Sequence, residues 1–296
     1  MLESLLDPKI DFIFKNIFGN KTSSNILISL LNAVLGYKKD GKKIAEITID
    51  DSFIKKENID DKFAILDIKA TLSDGTRVNI EMQIVDQYDM KKRSLYYLSR
   101  LYSEQLKQGD EYRKLNGTIG INILNFNLLN NDRYHNHYLF KENETNEIYT
   151  DLMQIHIIEL PKFNKKPSEI KDELESWVEF LKEPSVEVVD MLSKKVPEII
   201  EAFEVLKVVS SNEETRRDAE IRIKAMSDKA SSLAGAKEDG IQQGLQQGLQ
   251  QGLQQGTIQG KLEIILNMLK NQLDDETISK LTGISLEEIR EMKKQL

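Results

Sequence analysis

The chain has 296 residues, 40% of them hydrophobic and 30% charged, with a formal net charge of −8 and a pI near 5.2. That length holds one well-buried domain plus a second small unit, and the acidic balance argues against a protein that coats nucleic acid without specificity. Cysteine is absent, which excludes disulfides, thiolate metal sites and a cysteine nucleophile.

In chain order, residues 22–35 place apolar side chains at helical spacing, with Thr22, Ser23 or Ser24 to cap the start and Gly36 just past the end. Residues 44–50 alternate as a short strand. Residues 62–72 read as a second strand, with Phe63, Ile65, Asp67 and Lys69 on one side. Ser73-Asp74-Gly75-Thr76 is a hairpin signal, and 77–85 is its partner strand. A helix is predicted over 89–107, ending at Gly109, then a strand apolar on both faces over 118–127 and a further strand over 152–160, stopped by Pro161. This order predicts an α/β sandwich with a mixed sheet. From 166 onward the texture is helical, with Trp177 among the apolar positions.

The hairpin carries the chemistry. Asp67 and Glu81 lie mid-strand in apolar surroundings, where a carboxylate is costly without a partner or a metal. Two such carboxylates on adjacent strands repel, and a hard divalent cation resolves the repulsion. A two- or four-residue loop pairs positions summing to 149, which sends Asp67 and Glu81 to opposite faces. A three-residue loop shifts the sum to 148 or 150 and puts Asp67, Glu81 and Gln83 on one face; Gly75 suits the left-handed position of such a loop. The competing reading is an amphipathic hairpin with ordinary solvent-facing acids.

The stretch FAILDIKATLSDGTRVNIEMQ (63–83) closely resembles the motif of the PD-(D/E)xK nuclease family transposases, the Rpn-type recombination-promoting nucleases. DFIFKNIFG (11–19) resembles that family's opening motif, and KRSLYYLSRLYSEQL (92–106) is similar to its aromatic helix. The resemblance implies a restriction-endonuclease-like αβββαβ core over 1–165, followed by an α-helical C-terminal region. It implies hydrolysis of DNA phosphodiesters with Mg²⁺ (or Mn²⁺), in a mobile-element, recombination or phage-defence setting. Asp67 and Glu81 take the places of the metal-binding pair. Gln83 stands where the motif has Lys; a Lys offsets charge in the transition state, whereas Gln only orients water by hydrogen bonds. That departure keeps open an alternative, a catalytically silent DNA-binding or oligomeric scaffold. Lys69 is the candidate for the missing charge. Asp11 is a candidate accessory acid, against its plainer reading as a helix cap or an i,i+4 partner of Lys15.

No DNA-contacting residue is assigned. The helix with Lys91, Lys92, Arg93, Tyr97 and Arg100 reads either as a phosphate-contacting surface or as packed tyrosines with lysines in solvent. His135-Asn136-His137 lacks the dispersed pattern of an HNH nuclease, and the two histidines lack a visible third ligand.

Three further segments follow the core: a helical extension over 166–235, a Gln/Gly repeat over 236–260 and a small helical tail over 261–296. In the repeat, Gly falls at 240, 244, 248, 252, 256 and 260. Each Gly costs a helix about 1 kcal/mol relative to Ala. The repeat is therefore either a self-association segment, helical when paired, or a flexible linker. The tail has a helix-turn-helix pattern but balanced charge, which favours a protein–protein or regulatory unit. The expected partners are DNA and further copies of the chain through the repeat and tail. With no apolar run of roughly 18 residues and no signal-peptide pattern, no membrane partner is expected and the expected location is cytoplasmic.

Overall fold

The computed structural model describes residues 5–37, 43–50, 68–86 and 88–294. By contacts the chain divides into Met1–Ala230 and Ser231–Leu296. The first unit opens with α1 (Asp11–Phe18) and α2 (Ser24–Leu35). Ile13, Phe14, Ile17 and Phe18 form one apolar face of α1, and Ile26, Leu27, Leu30, Leu31 and Val34 one face of α2. Gly36 ends α2 in the left-handed region at φ 68°, its N–H bonded to the Asn32 carbonyl.

Six strands follow: β1 (Ile47–Ile49), β2 (Ile68–Leu72), β3 (Arg77–Gln83), β4 (Thr118–Leu124), β5 (His135–Lys141) and β6 (Ile148–Glu159). They form one sheet in the order β1-β2-β3-β4-β6-β5. β3, β4 and β6 run parallel, and the flanking pairs β1/β2, β2/β3 and β6/β5 are antiparallel. Helix α3 (Met90–Ser103) makes the crossover between β3 and β4. The architecture is α/β with a mixed sheet and the restriction-endonuclease-like element order, extended by the β5/β6 hairpin.

Strand alternation divides the side chains cleanly. Ile68, Ala70, Leu72, Val78, Ile80, Met82, Ile119, Ile121 and Ile123 belong to the main core, with the apolar faces of α1 and α2. Lys69, Asn79, Glu81, Gln83, Gly120 and Asn122 point to the other face, which α3 covers.

Helices α4 (Glu173–Lys182), α5 (Val186–Ser193) and α6 (Glu198–Ser210) share the main core, so the structure carries one core across position 165. Trp177 is fully buried, edge-on to Phe18 and Phe180. Helix α7 (Glu213–Lys270) then runs without a break through the Gln/Gly repeat. The charged, helix-favouring flanks supply nuclei from which the repeat extends at one hydrogen bond per residue. In the second unit, α8 (Asp275–Thr282) and α9 (Leu286–Lys294) pack Ile278 and Ile289 against Ile265 and Leu269. Gly283 at φ 73° separates them, as the Thr282-Gly283 break predicts. Ser285 and Glu288 cap α9 reciprocally.

Candidate active site

The β2/β3 hairpin decides where the carboxylate points. Ile68 pairs with Ile80, Lys69 with Asn79 and Thr71 with Arg77, a register summing to 148. The loop is Ser73-Asp74-Gly75: the Gly75 N–H donates to the Leu72 carbonyl at 3.0 Å, and the Leu72 N–H to the Thr76 carbonyl at 2.8 Å. Gly75 sits at φ 86°, a left-handed backbone angle that favours glycine, with the Asn116 side chain close by. This is the odd-length loop that the metal-site reading needs. Asp67, the other carboxylate of that reading, lies outside the described residues.

Glu81 occupies the centre of β3 and is only 2% exposed. Its Oε1 accepts from Arg93 Nη2 at 2.6 Å and from Gln83 Nε2 at 3.1 Å. Arg93 comes from the first turn of α3, and its guanidinium lies 5.4 Å from the centre of the Tyr97 ring. Asn122 sits beside Glu81 on β4, and Asn79 precedes it by two residues on the same face. Among the described residues, the buried Oδ1 of Asn79 has no hydrogen-bond partner. A buried carboxylate, an unpartnered amide oxygen and a cation thus share one covered face. Among the described residues no three His, Asp or Glu side chains converge tightly enough to hold a metal. The oxygen donors of Glu81 and Asn79 have the hard character that Mg²⁺ or Mn²⁺ selects.

The structure brings Glu81 and Gln83 into direct contact and places Lys69, half-buried, on their face beside Asn79. Asp11 goes elsewhere: it is buried at the start of α1 and pairs with Arg222 of α7, while its Oδ1 accepts from the Phe12 N–H at 2.8 Å. It therefore ties α7 to α1 and, among the described residues, bonds to nothing in the hairpin. Arg93 is the residue that sequence reasoning did not connect with Glu81. The alternation Asn79, Glu81, Gln83 against Val78, Ile80, Met82 shows which face is polar, but not which helix covers it.

All three histidines meet on β5 and β6. His135 Nε2 lies 3.0 Å from His156 Nδ1, and the His137 ring stacks on His156 at 4.1 Å. Burial pushes His156 down to about 2, reinforced by His137 and His135, and His135 down to about 4. His156 is buried, His135 half-buried and His137 exposed, and all three line a cavity of about 640 Å³ together with Asn32, Tyr134 and Asp172.

The family described as PD-(D/E)XK nuclease family transposase matches residues 8–236, from the start of α1 to the middle of α7. The chain belongs to that family. No curated protein and no solved structure matches it. A nuclease of the PD-(D/E)XK superfamily acts on a phosphodiester substrate. No described helix is long and apolar enough to cross a membrane.

Proposed function

We propose that the chain is a metal-dependent DNA endonuclease that hydrolyses phosphodiester bonds, of the recombination-promoting or phage-defence kind. One observation carries the reading: Glu81 sits buried in β3, antiparallel to β2 and parallel to β4, with a cation and an amide bonded to it. Glu81 and Asp67 are assigned as the ligands of Mg²⁺ or Mn²⁺. When bound, that ion polarises the phosphoryl oxygen and lowers the pKa of a water. Gln83 donates to Glu81 and keeps its amide oxygen to orient the attacking water. Arg93 and Lys69 supply the positive charge that the motif's Lys supplies elsewhere in the superfamily. The chain is further proposed to work as a homo-oligomer through the α7 repeat, whose Ile241, Leu245, Leu249 and Leu253 are exposed at four-residue spacing.

A second reading, a silent DNA-binding or oligomeric scaffold, is favoured by the same ion pair, because Arg93 already neutralises Glu81. Cleavage of a supercoiled plasmid with Mg²⁺ or Mn²⁺, against EDTA, separates the two. The nuclease reading expects metal-dependent nicking that Asp67→Ala and Glu81→Ala both abolish. No cleavage by the folded parent with either metal leaves the scaffold.

A further inference from the structure

Helix α3 buries Met90, Ser94, Leu98 and Leu101 against the sheet. At about 100° per residue these four fall within one narrow stripe. Arg93, Tyr96, Tyr97 and Arg100 follow the i, i+3, i+4, i+7 pattern and share a different flank. On that flank Tyr96 is 62% exposed, and its ring meets Tyr97 edge-on at 5.6 Å. Tyr97 in turn lies under the Arg93 guanidinium, which holds Glu81. A continuous run of contacts therefore leads from the proposed catalytic carboxylate out to two surface tyrosines. The packed-tyrosine reading of this helix does not hold: Tyr96 and Tyr97 are both exposed.

The charge of this helix is unlike the rest of the chain. Met90–Ser103 contains four basic residues, Lys91, Lys92, Arg93 and Arg100, and no acidic one, in a protein of net charge −8. Exposed aromatic faces interleaved with cations suit one kind of polymer: a polyanion whose bases are free to stack. Paired bases inside a duplex keep their faces covered; unpaired bases present them, and each base–aromatic stack is worth a severalfold gain in affinity.

We propose that the Arg93–Tyr96–Tyr97–Arg100 flank of α3 is a stacking platform for unpaired bases of a DNA strand, so that the substrate presented to Glu81 is single-stranded or locally opened DNA. The substrate class deepens the nuclease reading and rests on it for the identity of the polymer as DNA. Tyr96 stacks a base, Lys92 on the adjoining side of the helix takes a phosphate, and Tyr97 bridges the platform to Arg93, while Arg100 holds Glu104 at 2.6 Å at the far end of the flank.

The test is binding of a fluorescein-labelled thirty-nucleotide oligothymidylate, and of a duplex of the same length, to the full chain in EDTA, read by anisotropy. The proposal expects the single strand to bind at least tenfold more tightly than the duplex. It expects Tyr96→Ala to lose at least fivefold for the single strand, with Tyr96→Phe retaining binding and Tyr149→Ala, an exposed tyrosine on β6, unchanged. Tyr96 lies on the surface, so its variants should melt with the parent. Equal affinity of Tyr96→Ala and parent, preference for the duplex, or no binding by the parent overturns the proposal. Because EDTA removes the metal, Tyr96-dependent binding by a protein that never cleaves supports the platform while defeating the nuclease reading. Cleavage with Tyr96-independent binding does the reverse.

Discussion

The two faces of the central sheet come from the same strands and are built to opposite rules. Val78, Ile80 and Met82 enter the main core, while their alternating neighbours Asn79, Glu81 and Gln83 are equally buried yet polar. The apolar face gains stability simply by leaving water. The polar face holds Glu81 and Arg93 out of solvent, where an ion pair roughly breaks even against an apolar substitute. The contrast teaches that buried polar alternation in a central strand is the informative signal, more so than the carboxylate alone.

The comparison is sharpest when each face is broken separately. Glu81→Ala should reduce cleavage by at least about 10²-fold, read as initial nicking rate with Mg²⁺ or Mn²⁺. The double substitution Glu81→Leu with Arg93→Met should abolish cleavage yet melt at or above the parent temperature, because an apolar pair replaces a desolvated ion pair. Ile80→Ala, on the fully buried opposite side, should cost about 2–5 kcal/mol in urea denaturation while the folded fraction stays active. Loss of activity from Ile80→Ala with unchanged stability would invert the assignment of the faces.

A titratable group also sits with the apolar face: His156 pairs in register with Ile121. Its folded value near 2, and that of His135 near 4, lie below the ordinary 6.5 because burial disfavours the charged ring, with His137 and, for His135, Arg133 adding repulsion. Between those values the unfolded chain binds more protons, so stability is full above about pH 6.5 and falls as pH drops. The slope should reach at most about 1.4 kcal/mol per pH unit for each histidine. Melting temperatures from pH 7.5 to 5 should fall, and His156→Leu should flatten the decline. The smallest effect is expected at the hairpin tip: Gly75→Ala, at φ 86° and facing Asn116, should cost about 1–2 kcal/mol without changing the polarity of either face.

Much of this arrangement was legible in the sequence. The alternation in 77–83 gives the two faces, and Gly75 marks the odd loop that yields the 148 register out of the several the turn allows. Gly36 and Gly283 mark helix ends by their left-handed geometry. What local pattern does not carry is pairing across distance. The insertion of β6 between β4 and β5, the reach of Arg93 to Glu81 and the capture of Asp11 by Arg222 all depend on residues far apart in the chain or on different elements. The unbroken α7 goes against the propensity of its glycines, since six of them argue for a break and the flanking turns carry the helix through.

The central claim is that the polar face of β3 holds the catalytic metal through Glu81. Calorimetric titration of Mn²⁺ into the full chain, beside Glu81→Gln, tests it most directly. The account predicts saturable binding by the parent that Glu81→Gln loses while keeping the parent's circular dichroism spectrum. Indistinguishable Mn²⁺ binding by the two proteins, or none by the folded parent, would contradict it.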